Sequence, residues 1–277
     1  MSPSHFRSLS LALLCALTVS PSAQHTVGYA QQKVTSTSKA VDRFDSALWP
    51  IKGLRLKAAL EAFKDDAVAL VQLIRRADKS NLLPLTLDTL KQLQVKHPKN
   101  ANLPAAYCFT YDAGGSAFQY RSKAVFAYNQ KMAQAYIDSM NNAYRLDPKL
   151  WLTYSLNGYA LADTRESGGR GMEMLKKAVE LEPNSSLPHY FLARGYMVYG
   201  QPFSSWKKAV EELRKAQVLG PPNADVCFWL FDTYDLRIPN RAKAKQAAEA
   251  FVAVVPPSYK IKPVMLARLA KYGVKPK

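Results

Sequence analysis

Apolar side chains recur three and four positions apart along Leu56, Leu60, Phe63, Ala67, Leu70 and Ile74. That spacing places them on one face of a helix, predicted over residues 54–77. Asn81 and Pro84 open a second helix carrying Leu87, Leu90 and Leu93 on one side, and Pro98 lies just past its end. No useful length of chain alternates apolar and polar residues with period two, so no sheet is expected.

A longer period follows. Met140, Ala143, Leu146 and Pro148 form a set that returns as Leu175, Ala178, Leu181 and Pro183, and again as Leu213, Ala216, Leu219 and Pro221. Each set has a large apolar residue, an Ala three on, another apolar residue three further, and a proline two beyond that. The sets recur roughly every 35 residues, the length of a helical-pair repeat. Ala247, Phe251 and Val254 make a weaker copy, and Pro98 stands ahead of the series by a longer step. The small residues let two helices approach closely, the large ones fill the space beside them, and proline cannot continue a helix. Second apolar segments lie between the stops, at residues 105–111, 151–161, 190–199 and 227–234. The unit is helix, turn, helix, stop.

This unit resembles the tetratricopeptide family. The family's first helix carries a bulky residue, then a large residue followed by a small one, then an aromatic. His189, Leu192, Ala193 and Tyr196 fit that spacing, as do Tyr154, Asn157, Gly158 and Leu161. Pro104, Tyr107, Cys108 and Tyr111 fit it too, and Cys227, Leu230, Phe231 and Tyr234 fit more loosely. The resemblance covers residues 82–259, with intervals longer than the family's usual 34 or so. The extra residues are expected in turns at 112–122, 164–170, 200–204 and 236–240. The implied fold is all-α: a right-handed α-solenoid of tetratricopeptide-like helix pairs, with an N-terminal helix and a C-terminal capping helix. That cap is expected over 263–272, stopped by Gly273.

The first thirty residues change the picture. Arg7 is their one charged side chain, residues 9–19 are apolar, and small residues and proline follow at Ser20, Pro21, Ser22 and Ala23. These are the parts of a secretory signal, and the apolar run is shorter than the roughly 20 residues that span a bilayer. We expect a signal peptide over 1–30, cleaved after Ala23 or Ala30, a flexible leader over 31–47, and one helical repeat domain over 48–277. The expected location is secreted or periplasmic. With 277 residues, 48% of them hydrophobic, the chain is long enough to bury a substantial core. Its formal charge of +17 attracts anionic surfaces, and beyond Leu236 Glu249 is the only acid.

No pattern of residues points to catalysis. Gly114, Gly115 and Ser116 imitate a nucleophile elbow but follow no strand and have no His to serve them. Gly168, Gly169, Arg170 and Gly171 lack the Lys-Ser/Thr ending and the strand of a phosphate loop. Both are read as turns. The four His and three Cys show no metal-ligand spacing, so no enzyme, cofactor or metal is expected. Cys108 and Cys227 are read as buried thiols, with a disulfide as the lesser alternative, and His189 as a packing residue.

The resemblance implies that first helices line a concave groove in which a protein or peptide partner binds. Its register assigns Phe109 and Asp112 to the first such helix, Tyr159 and Asp163 to the second, Tyr190 and Arg194 to the third, and Phe228 and Asp232 to the fourth. The competing reading makes the aromatics core residues. A second function is a basic adaptor for membrane or wall polymer through Lys243, Lys245, Lys260, Lys262, Arg268 and Lys271. Nucleic acid is disfavoured, because export argues against it and only Tyr259 and Tyr272 interleave with those cations.

Overall fold

The computed structural model describes residues 49–79, 82–113, 130–162, 167–199, 203–220, 223–255 and 261–276. Two compact units are distinguished, Met1–Arg55 and Leu56–Lys277, and the second holds the fold described below. The signal and leader segments expected over residues 1–47 lie outside the described residues.

In chain order the helices are α1 (Trp49–Ala62), α2 (Ala67–Lys79), α3 (Leu83–Lys96), α4 (Asn102–Ala113), α5 (Gln130–Leu146) and α6 (Trp151–Ala162). They continue with α7 (Gly168–Leu181), α8 (Ser186–Tyr199), α9 (Phe203–Leu219), α10 (Ala224–Asp232), α11 (Arg241–Val254) and α12 (Pro263–Ala270). Among the described residues there is no strand.

The single helix expected over 54–77 is two helices. Its apolar stripe is continuous, with Leu56, Leu60, Leu70 and Ile74 all fully buried, but the chain turns at residues 63–65. The cause is Asp66, whose Oδ1 accepts from the backbone N–H of Val68 and of Ala69, each at 3.1 Å. A carboxylate that satisfies the free N–H groups of a first turn starts a new helix. Apolar spacing alone carries no record of that break.

From α2 onward the helices pack in consecutive pairs: α2 with α3, α4 with α5, α6 with α7, α8 with α9, and α10 with α11. Successive pairs also touch, through α3 against α4, α7 against α8 and α9 against α10. The first two residues of each predicted set seat these contacts, whereas Leu146 and Leu181 are half-buried and Leu219 is 38% exposed. Met140, Ala143, Leu175, Ala178, Leu213 and Ala216 are all buried, and so are Ala247 and Phe251 of the weaker copy. The stops also fall where expected, since α3 ends before Pro98, α5 before Pro148 and α7 before Pro183.

Two expected turns are partly helix. Gly168 through Gly171 form the first turn of α7. Residues 233–237 continue α10 as a turn of π-helix, in which the Ile238 N–H donates to the Thr233 carbonyl at 2.9 Å. The Thr233 hydroxyl, fully buried, donates to the Trp229 carbonyl at 2.7 Å. The Gly114–Ser116 fragment lies outside the described residues. Cys108 and Cys227 are buried free thiols on α4 and α10, and burial raises the Cys227 pKa.

The C-terminal helix α12 packs onto the end of this stack. Met265 and Leu269 are buried, and Gly273 ends the helix at φ 69°. The Val274 N–H reaches back to the Leu269 carbonyl at 3.2 Å, closing a left-handed C-cap, and Val274 tucks in behind it. Gly273→Ala should lower stability by about 1 kcal/mol, because an L side chain is strained at positive φ. A reduced thermal midpoint checks this. The space around a Cβ there is open, so a larger loss would mean that something other than backbone strain is involved.

Candidate functional site

The predicted first helices α4, α6, α8 and α10, joined by α2, bring one cluster of side chains together. Arg194 on α8 is its centre. One Nη donates to the Tyr190 hydroxyl at 3.2 Å and the other to the Tyr159 hydroxyl of α6 at 2.8 Å. Its guanidinium carbon lies 4.1 Å from the centre of the Trp229 ring on α10. Arg75 of α2 joins the cluster. It lies 4.6 Å from the Tyr190 ring centre and 5.8 Å from that of Phe109 on α4. Its Nη1 stands 3.5 Å from the Asp225 carboxylate of α10. Phe191 knits the rings, 6.2 Å from Phe109, 6.4 Å from Tyr159 and 5.8 Å from Tyr190.

Guanidinium over an aromatic face gains from the ring quadrupole, by about 0.5–2 kcal/mol as water is excluded. Here two such groups link five helices drawn from five successive pairs. Sequence spacing missed both Arg75 and Trp229. Arg75 sits on α2, which apolar spacing merges into one long helix outside the repeat register. Trp229 adjoins the predicted Phe228, one position round the helix.

The predicted residues divide by exposure. Phe109 and Tyr190 are buried at 4% and 6%, while Tyr159, Arg194 and Phe228 are half-buried. The Asp112 side chain and Asp163 lie outside the described residues. Asp232 is engaged elsewhere, since its carboxylate accepts from Arg268 Nη1 at 2.9 Å. Arg268 Nε donates to Asp235 at 2.7 Å, Tyr272 donates to the same carboxylate at 2.7 Å, and the Arg268 guanidinium stacks 4.9 Å from Phe231. Burial would raise the Asp235 pKa, but the Tyr272 and Arg268 bonds hold it below the usual carboxylate value. Arg268, one of the six cations considered for anionic surfaces, is thus a fastener of α12 to the last pair. Lys243, Lys245, Lys262 and Lys271 are exposed, and Lys260 lies outside the described residues. Lys243 lies 5.6 Å from the Tyr234 ring and Lys245 3.9 Å from Glu249.

A second polar group is buried between α8 and α9. His189 is 5% exposed, with Nδ1 2.6 Å from Glu212 and Nε2 3.0 Å from the Pro183 carbonyl. A carbonyl only accepts, so Nε2 donates. The carboxylate at Nδ1 then favours the doubly protonated ring, and the His189 pKa rises above 6.5. Glu212 also accepts from Lys215 at 2.7 Å. Every polar atom of the ring is occupied in holding two helices and a loop together, so His189 is a packing residue.

Among the described residues no group of three or more His, Cys, Asp or Glu is placed to hold a metal ion, and no helix is long and apolar enough to cross a membrane.

No protein-family model matches the chain, and no curated protein matches it. Among solved structures it is similar to TTC0263, a thermophilic TPR protein of Thermus thermophilus, at 20% identity and a TM-score of 0.47. That match covers 71% of this chain and 94% of the other. It is also similar to a chain of the APC/C hetero-tetramer Cut9–Hcn1, at 14% identity and a TM-score of 0.42, covering 86% of this chain and 52% of that one. The pairing of helices is visible in this chain's own packing.

Proposed function

We propose that the chain is an exported protein-interaction scaffold, without catalytic activity, that holds a peptide or protein segment on the face made by its first helices. One observation carries this reading. Tyr159, Tyr190, Trp229 and two arginines meet where aliphatic side chains would join five helices more simply. Aromatic residues and arginine are the types enriched at binding interfaces, and they dominate interface energetics. Phe228 and Trp229 remain half-exposed, and the Asp225 carboxylate beside them is 37% exposed, so the cluster has an edge that a partner can reach.

Photocrosslinking tests it. With p-benzoylphenylalanine at Phe228, the mature chain should capture one discrete partner segment in its native host. The same group at Lys245, on the exposed side of α11, should capture none. Capture from position 245 alone would remove the first-helix face from consideration. Reading the mature amino terminus in the same preparation tests export, which predicts a start at Gln24 or Gln31.

A second reading is supported by exposed cations on the second helices, Lys207 and Lys208 on α9 with Lys243 and Lys245 on α11. These would suit attachment to an anionic surface. Sedimentation with phosphatidylglycerol vesicles should then show binding that falls steeply as salt is raised, because ions screen exposed charge. Absence of sedimentation at low salt contradicts it.

A further inference from the structure

Two guanidinium donors on the first-helix face are left without acceptors. Arg75 Nη1 and Arg194 Nε are buried and make no hydrogen bond. Aromatic faces stabilise a cation but accept no strong N–H bond, and a buried donor without an acceptor carries its full desolvation cost. Among the described residues the carboxylate beside them is Asp225. It pairs with Arg75 at 3.5 Å, without hydrogen-bond geometry, and it is 37% exposed where Arg75 is 16%. It also lies within Coulombic reach of Arg194. Among the described residues, two guanidinium groups thus share one loose carboxylate.

The group that completes such an arrangement is fixed by its chemistry. It must be anionic, accept more than one N–H, and be flat enough to enter between rings. A carboxylate fits, because guanidinium forks bind it through paired bonds. A net charge of +17 would also draw acidic segments toward the chain.

We propose that the first-helix face recognises an acidic side chain of its partner, with an Asp or Glu carboxylate displacing Asp225 from Arg75 and bridging to Arg194. Apolar neighbours in the bound segment pack on Tyr159 and Trp229. This rests on the segment-holding role proposed above and adds the chemistry that is read there.

The test uses the full mature chain and a fluorescein-labelled peptide of alternating Glu and Phe with blocked ends, read by anisotropy at 150 mM salt. Companion peptides carry Gln or Lys in place of Glu. The Glu peptide should bind about tenfold or more tighter than the Gln peptide, and Arg194→Gln should remove that preference, since a charge-assisted bond is worth about tenfold. Asp225→Asn removes the internal competitor and should tighten binding roughly threefold or more, a gain that misfolding cannot imitate. Lys243→Gln with Lys245→Gln should leave binding within about twofold.

An Asp225→Asn chain that binds no more tightly overturns the proposal. Equal binding of the Glu and Gln peptides overturns it too, while leaving a face that holds segments by its rings. Failure of all three peptides would take the segment-holding role down with it. Displacement of the Glu peptide by equimolar inorganic phosphate would reassign the site to free phosphate and overturn acidic-peptide recognition.

Discussion

Gly171→Ala should destabilise the chain by about 3 kcal/mol, at the upper end of what overpacking costs, and shift its unfolding midpoint in urea accordingly. A Cβ at Gly171 would lie 2.7 Å from both the Ala162 Cα and the Gly158 carbonyl oxygen, with the Ala162 backbone nitrogen closer still. These are backbone atoms of α6 and cannot swing aside, so α6 and α7 must separate. The damage then spreads, because Leu175 fills the space beside this crossing. It is fully buried, and a Cβ on Gly158 would meet its Cγ at 2.8 Å. Gly169→Ala is the control. Its Cβ would meet only the Tyr199 hydroxyl, at 3.7 Å, and helix propensity favours Ala over Gly by up to about 1 kcal/mol. Two glycines in one turn should therefore respond with opposite signs. Equal responses would mean that the α6–α7 crossing is not held by backbone contact.

The second large effect is His189→Ala, expected to cost about 3 kcal/mol, because it leaves the buried Glu212 carboxylate with Lys215 as its one remaining side-chain partner. The same pair makes stability depend on pH. The Glu212 bond holds the His189 pKa above 6.5 against burial, which would lower it. A raised folded pKa means the contribution is fully present below about pH 6.5, the unfolded value, and is lost as pH rises through the folded value. Glu212 behaves oppositely. Burial would raise its pKa, but the His189 and Lys215 bonds bring it below 4.5. Its contribution is present above about pH 4.5 and is lost as pH falls through that lowered value. The ion pair is therefore strongest between about pH 4.5 and 6.5. Thermal midpoints from pH 4 to 9 should fall on both sides of that window. His189→Ala should flatten the alkaline side, and an unchanged alkaline limb would show that His189 is not charged in the folded chain.

The repeat was legible because its signals are local and physical. Leu175, Ala178 and Pro183 carry packing, close approach and termination within nine residues, and each does in the fold what its type dictates, while Leu181 between them is half-buried. The break at Asp66 was not legible from apolar spacing, since the stripe from Leu56 to Ile74 keeps its period across the turn. The glycines of 168–171 misled for a related reason. Glycine marks turns when backbone freedom is needed, but Gly171 is required for contact with Ala162, and only a neighbouring helix reveals that.

The candidate site was half legible. Register placed Tyr159, Tyr190, Arg194 and Phe228 on first helices, and the structure gathers Tyr159 and Tyr190 around the Arg194 guanidinium. Arg75 could not be placed, because its contacts with Tyr190 and Asp225 bridge residues far apart in sequence. Arg268 and Asp232 were assigned to separate surfaces by sequence and prove to bind each other, for the same reason. Long-range pairings between charged side chains leave no periodic trace.

First helices from successive pairs converge on one face, so that Arg75 of α2 touches Tyr190 of α8. A double-mutant cycle between Arg75→Met and Tyr190→Leu, read by urea unfolding, measures that contact directly. The structure predicts a coupling of about 1 kcal/mol, as for a partly desolvated cation over a ring. Losses that add within about 0.3 kcal/mol would place the two side chains apart and contradict the convergence.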